Sequence, residues 1–120
     1  GGFAVNLLAD NQTMQVNGRE HVAVYRALNN GEPSTHHRCF CRNCGSHLWA
    51  WNEGWPDLVH PLASVIDTPL PKPSHFVDIM LDSAAPWVEL HAGDHVERFP
   101  EYPAQSIEAW HKSHGLWLDE

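Results

Sequence analysis

Three cysteines fall in the run Arg38-Cys39-Phe40-Cys41-Arg42-Asn43-Cys44-Gly45-Ser46, and the chain has no others. This cluster constrains the fold more than any other feature. The spacing Cys41-x-x-Cys44-Gly45 is that of a zinc knuckle: two thiolates three residues apart reach one tetrahedral cation, and a glycine in next position closes the turn with positive φ. Thr35 to Phe40 leads into the turn as a strand and His47 to Trp51 leaves it, so the segment reads as a zinc-ribbon hairpin. Structural zinc takes four protein ligands, and catalytic zinc takes three with an open position. One pair is clear here. Cys39 shares a strand face with Cys41 and either joins the metal cluster or packs as a small apolar side chain. His36, His37 and His47 are near enough in sequence to add nitrogen ligands, or serve as surface or hydrogen-bonded histidines. A disulfide between Cys41 and Cys44 would close a very small, strained loop. The odd cysteine count therefore favours a reduced, cytoplasmic, metal-binding protein over a secreted disulfide framework.

The rest of the chain reads as short strands. Phe3 to Leu8 is strand-like, Thr13 to Val16 alternates, and Asn17-Gly18 is a hairpin signal before the alternating stretch His21 to Leu28. Asn29 to Pro33 reads as a loop, Leu58 to Ile66 as a strand. Three prolines between Asp67 and Ser74 make an extended connector. His75 to Leu81 and His95 to Phe99 are further strands. Ser106 is placed to cap a short helix that runs through Ile107 to Lys112 and ends near Gly115. Trp49 and Trp51 share one strand face, which suggests a core stripe more readily than the wall of a ligand pocket. The predicted architecture is all-β with a short C-terminal helix. It comprises a β domain over 1–100 and a partly helical extension over 101–120.

Charge and hydropathy exclude some functions. With 7 basic and 15 acidic residues the formal net charge is −8, and no Lys/Arg cluster is available for phosphate recognition, so nucleic acid is not an expected partner. No apolar run approaches the roughly 20 residues of a membrane span. No Gly-rich phosphate loop, His-Glu-x-x-His helix or Gly-x-Ser-x-Gly elbow occurs. The start Gly1-Gly2-Phe3, without Met or a signal region, reads as a fragment or a processed product.

Several segments, in order, resemble the glutathione-dependent formaldehyde-activating enzyme family, which includes centromere protein V-like proteins. They are Gly1-Gly2-Phe3-Ala4-Val5, the signature Arg38-x-Phe40-Cys41-x-x-Cys44-Gly45-Ser46-x-Leu48, and His75 to Leu81 followed by Ala85-Pro86-Trp87-Val88. The resemblance implies a β-tent fold of packed sheets with zinc at one end. It implies that Cys41 and Cys44 belong to a structural Zn2+ site shared with an earlier Cys-x-Cys pair. A more labile zinc in a Cys-x-Cys-x-x-Cys cluster accompanies the proposed chemistry. That chemistry adds the glutathione thiol, or another small thiol, to formaldehyde or a related aldehyde, and is classed with carbon–sulfur lyases. The resemblance matches no segment here to either of the other two cysteine clusters, so catalytic residues are not assigned, and it implies an N-terminal segment before Gly1. The alternative is a non-catalytic, zinc-stabilised β-tent module that binds a protein. A third option is a thiol–disulfide or metal-carrier role for the clustered cysteines. A β domain with an uncovered edge is also expected to self-associate, as a homodimer.

Overall fold

The computed structural model describes residues 2–119. The fold is all-β with one short C-terminal helix. Its strands are β1 (Ala9–Asp10), β2 (Val22–Tyr25), β3 (Leu28–Asn29), β4 (Glu32–Pro33), β5 (His36–Cys41), β6 (His47–Asn52), β7 (Leu58–Pro61), β8 (Phe76–Asp78) and β9 (Val96–Arg98), and the helix is α1 (Ile107–Ser113). The chain divides into two compact units. One is Ala4–Leu70; the other combines 71–119 with the N-terminal residues up to Phe3.

In the first unit, β5 and β6 pair antiparallel across the cysteine turn and form the middle of a five-stranded sheet of order β1-β7-β6-β5-β2. Alternation sets the two faces. Cys39 opposes Trp49 and His37 opposes Trp51, so these four share a face with Val24, which opposes Cys39 from β2. The register slips between Cys39 and Phe40, so that Phe40 opposes His47. That bulge leaves Leu48 as the extra residue and moves His47 to the face that carries His36 and Phe40, because each residue added to one strand reverses the alternation beyond it. The buried apolar residues, Cys39, Ala50, Val59 and Leu62, lie on or beside the three central strands. Val59 is the most enclosed, at 1% exposure. Buried Asn52 is satisfied locally: its Oδ1 accepts from the Gly54 N–H at 2.9 Å.

Two turns differ from the sequence reading in an instructive way. Asn17-Gly18 does not make a hairpin; Gly18 precedes a 3₁₀ turn, Arg19–His21, and β2 pairs with β5 instead of a neighbour at Thr13–Val16. The hairpin forms at Asn30-Gly31, in the segment read as a loop. There β3 and β4 pair around a two-residue turn with φ of 50° and 83°. Both signals carry the same residue types, but only the second lies between segments that can pair with each other. Phe3 to Leu8 is likewise mostly irregular, with a single bridge from Asn6 to Leu62.

In the second unit β8 and β9 run parallel, Phe76 opposite Val96 and Asp78 opposite Arg98. The Ser106 side chain caps α1 by accepting from the Ala109 N–H at 3.0 Å, as its position before the helix predicts. The helix is exposed enough that none of its residues is buried. No helix among the described residues is long and apolar enough to cross a membrane.

Candidate functional site

The cysteine turn is built by backbone hydrogen bonds. The Cys41 N–H donates to the Ser46 carbonyl at 2.8 Å and the Gly45 N–H donates to the Cys41 carbonyl at 2.7 Å. Gly45 takes φ of +77°, a conformation a side chain would strain. All three cysteines are free thiols. Cys44 is exposed, with Sγ 3.2 Å from Ser46 Oγ. The Ser46 hydroxyl, then the Ser46 backbone N–H and the Cys41 thiol, stabilise a Cys44 thiolate and pull its pKa below the ordinary thiol value. Cys39 behaves oppositely: burial pushes its pKa up, with nearby Arg19 acting in the other direction.

The donor chemistry of the turn suits zinc, since a thiolate favoured by neighbouring donors, as at Cys44, is a good ligand for a borderline-soft cation. The number of donors does not. Among the described residues no group of three or more His, Cys, Asp or Glu side chains is placed to hold a metal ion. Cys41 and Cys44 are thus neighbouring thiols, two donors where a structural zinc site takes four. Cys39 is instead a buried residue on the wall of a neighbouring hollow.

This hollow, about 220 Å3 in volume, opens on the sheet face described above. Trp49 and Trp51 line it and are only half-buried, so they wall a cavity and are not the core stripe expected from their spacing. Arg19 and Asn11 reach it from the turns preceding β2. His37 is the remaining polar wall. Its Nε2 lies 3.1 Å from Glu53 Oε1, and its ring meets Trp51 edge-on with centroids 4.9 Å apart. Glu53 is also 3.4 Å from Arg26 Nη2, while Arg26 Nε donates to the Ser34 carbonyl at 2.6 Å. Sequence reasoning weighed His37 as a nitrogen ligand or as a surface or hydrogen-bonded histidine, and did not single out Glu53, Arg19 or Arg26. No signal joined them, because they come together only when β2, β5 and β6 align.

The opposite face has its own histidines. His47 Nε2 and His60 Nδ1 are buried with no hydrogen-bond partner among the described residues. Burial lowers the pKa of His60, with His36 adding repulsion; burial likewise lowers that of His36, with Arg38, His47 and His37 adding to it.

By fold and site this is a small all-β protein with free thiols on a hairpin turn and an aromatic-walled hollow on the adjoining sheet. Comparison with known proteins narrows this. The chain is 43% identical over 116 residues to a protein of Halomonas elongata named "Putative glutathione-dependent formaldehyde-activating enzyme", a match spanning 97% of this chain and 74% of the relative. No family model matches the chain, and no solved structure matches it. At that identity and coverage, the chain belongs to the glutathione-dependent formaldehyde-activating enzyme family.

Proposed function

We propose that this protein adds the thiol of glutathione to formaldehyde, forming S-hydroxymethylglutathione, as a carbon–sulfur lyase running in the joining direction. The likeness to the Halomonas elongata protein carries the reading, because it extends through the cysteine turn and the sheet beside it. The geometry supports it. An open hollow with aromatic walls and one arginine suits a small anionic thiol.

Zinc belongs to the same proposal. Cys41 and Cys44 supply two of its thiolate ligands. Zinc there would fix the hairpin as folding free energy. Elemental analysis of purified protein should find zinc, and the double variant Cys41→Ser/Cys44→Ser should lose it.

The activity is tested by exchange NMR with 13C-formaldehyde and glutathione. The protein should speed exchange between free formaldehyde and the hemithioacetal above the rate in the same buffer alone. Equal rates with and without protein overturn the assignment.

A further inference from the structure

We infer that His37, held by Glu53, is the proton-transfer residue of the thiol–aldehyde reaction, and that the hollow it lines receives the thiol-bearing end of the substrate. The inference rests on the function proposed above and assigns that function a place and an acid–base group. It arises from the pairing of a half-buried imidazole with a carboxylate at the wall of the hollow, not from the cysteines.

The volume sets the scale. Clefts that enclose drug-sized ligands run to roughly 300–1,000 Å3. At about 220 Å3 this hollow takes the cysteinyl portion of a thiol peptide together with a one-carbon aldehyde, and leaves the remainder of the peptide over the surface. The walls suit that load. The indoles of Trp49 and Trp51 contact the apolar methylene carbons, and the guanidinium of Arg19 offers a bidentate partner to a substrate carboxylate. Among the described residues Arg19 has no ion-pair partner, so its charge is available.

His37 fills the chemical role by elimination and by geometry. Arg19 does not give up its proton near neutrality. Burial holds Cys39 as the neutral thiol, which is a poor base. Glu53 accepts from His37 Nε2–H, which fixes the tautomer and leaves Nδ1 as the unprotonated nitrogen. In the reaction Nδ1 takes the thiol proton as the sulfur lone pair attacks the carbonyl carbon. The C–S bond forms, the π electrons move to oxygen, and the oxygen takes the proton back from Nδ1. Thiol and aldehyde combine with nothing left over. Glu53 stabilises the imidazolium between the two transfers, and Arg26 in turn holds Glu53. Glu53 is a positioning residue.

The exchange-NMR rate tests this in the full chain. His37→Asn should lose about a hundredfold in the rate above background, the scale of a single positioned acid–base group. Its circular dichroism should match wild type and its half-saturating glutathione concentration should change little. Added imidazole should restore part of the rate. His37→Gln replaces the asparagine variant if that one does not fold. Glu53→Ala should lose about tenfold in kcat with KM unchanged, and Glu53→Gln, which keeps an acceptor, should lose less. Arg19→Met should raise KM and spare kcat. A wild-type rate in both His37 variants, with wild type itself active, overturns the inference and leaves the proposed function standing. A wild-type protein without activity overturns both.

Discussion

The two compact units are stabilised by different means. Ala4–Leu70 is organised by backbone pairing between strands far apart in sequence, with Cys39, Ala50, Val59 and Leu62 enclosed along its central strands. The unit from 71 onward has one parallel pair of three-residue strands, a seven-residue helix, and large apolar side chains left outside. Trp87 is 71% exposed, Tyr102 77% and Leu118 89%. A two-stranded pair and a helix this short are each marginal alone. Side-chain contacts among aromatic rings and imidazoles join them. His114 stacks on Trp110 at 3.9 Å, His75 lies 4.8 Å from His95 and 5.3 Å from His114, and Trp110 Nε1 donates to Glu97 at 2.7 Å. His91 adds a stack on Phe76 at 4.0 Å and a 2.9 Å contact to Asp78. The lesson is that the chemistry proposed above sits on the unit with the enclosed core, where a sheet can hold a hollow and a hydrogen-bonded pair in register.

That contrast breaks if the largest expected effect is missing. Val59→Ala removes two methyl groups from the most enclosed site and should cost about 2–3 kcal/mol of unfolding free energy, the transfer loss plus a residual cavity. Chemical denaturation followed by tryptophan fluorescence measures it, and a loss under ~0.5 kcal/mol would place the core elsewhere. Next comes the second unit. Trp110→Ala removes the stack on His114 and the hydrogen bond to Glu97, and should cost about 1–2 kcal/mol locally. Hydrogen exchange should show α1 opening while the amides of β5 and β6 keep their protection. Equal loss in both regions would mean the units are one cooperative body.

Ser106→Ala should weaken α1 by about 1 kcal/mol through loss of the cap to the Ala109 N–H, with Ser106→Asp restoring it. Helical circular dichroism against temperature separates the three proteins. The smallest effect is acidic. Both His36 and His60 have pKa values below the ordinary 6.5 when folded, chiefly because burial disfavours the charged ring. Their lowered values mean the unfolded chain binds protons that the folded chain does not. Stability is therefore full above about pH 6.5 and declines as pH falls through that value toward the lower folded values, where the decline levels off. His60→Gln should flatten this slope in the first unit. A stability that rises on acidification from pH 7 to 5.5 would contradict the assignment.

Much of this was legible along the chain. The strands flanking the cysteine turn, the strands near His75 and His95, and the Ser106-capped helix follow from local alternation, turn glycines and a capping hydroxyl. The failures share a cause. Asn17-Gly18 and Asn30-Gly31 carry the same turn chemistry, and choosing between them requires knowing which strands pair. Trp49 and Trp51 sit on one face as read, but whether a face is covered or hollow depends on what packs above it. The one-residue bulge after Cys39 sends His47 to the opposite face from that expected of an unbroken ribbon, and no residue type announces it.

Residue chemistry over short distances thus established the cysteine turn, the all-β character, the helix cap and the family likeness, because each depends on neighbours within a few positions. The parallel pairing of β8 with β9, the hollow, and the meeting of Arg26, Glu53 and His37 came only with folding. They join residues from separate strands whose order and register are set by the burial and backbone pairing of the whole sheet.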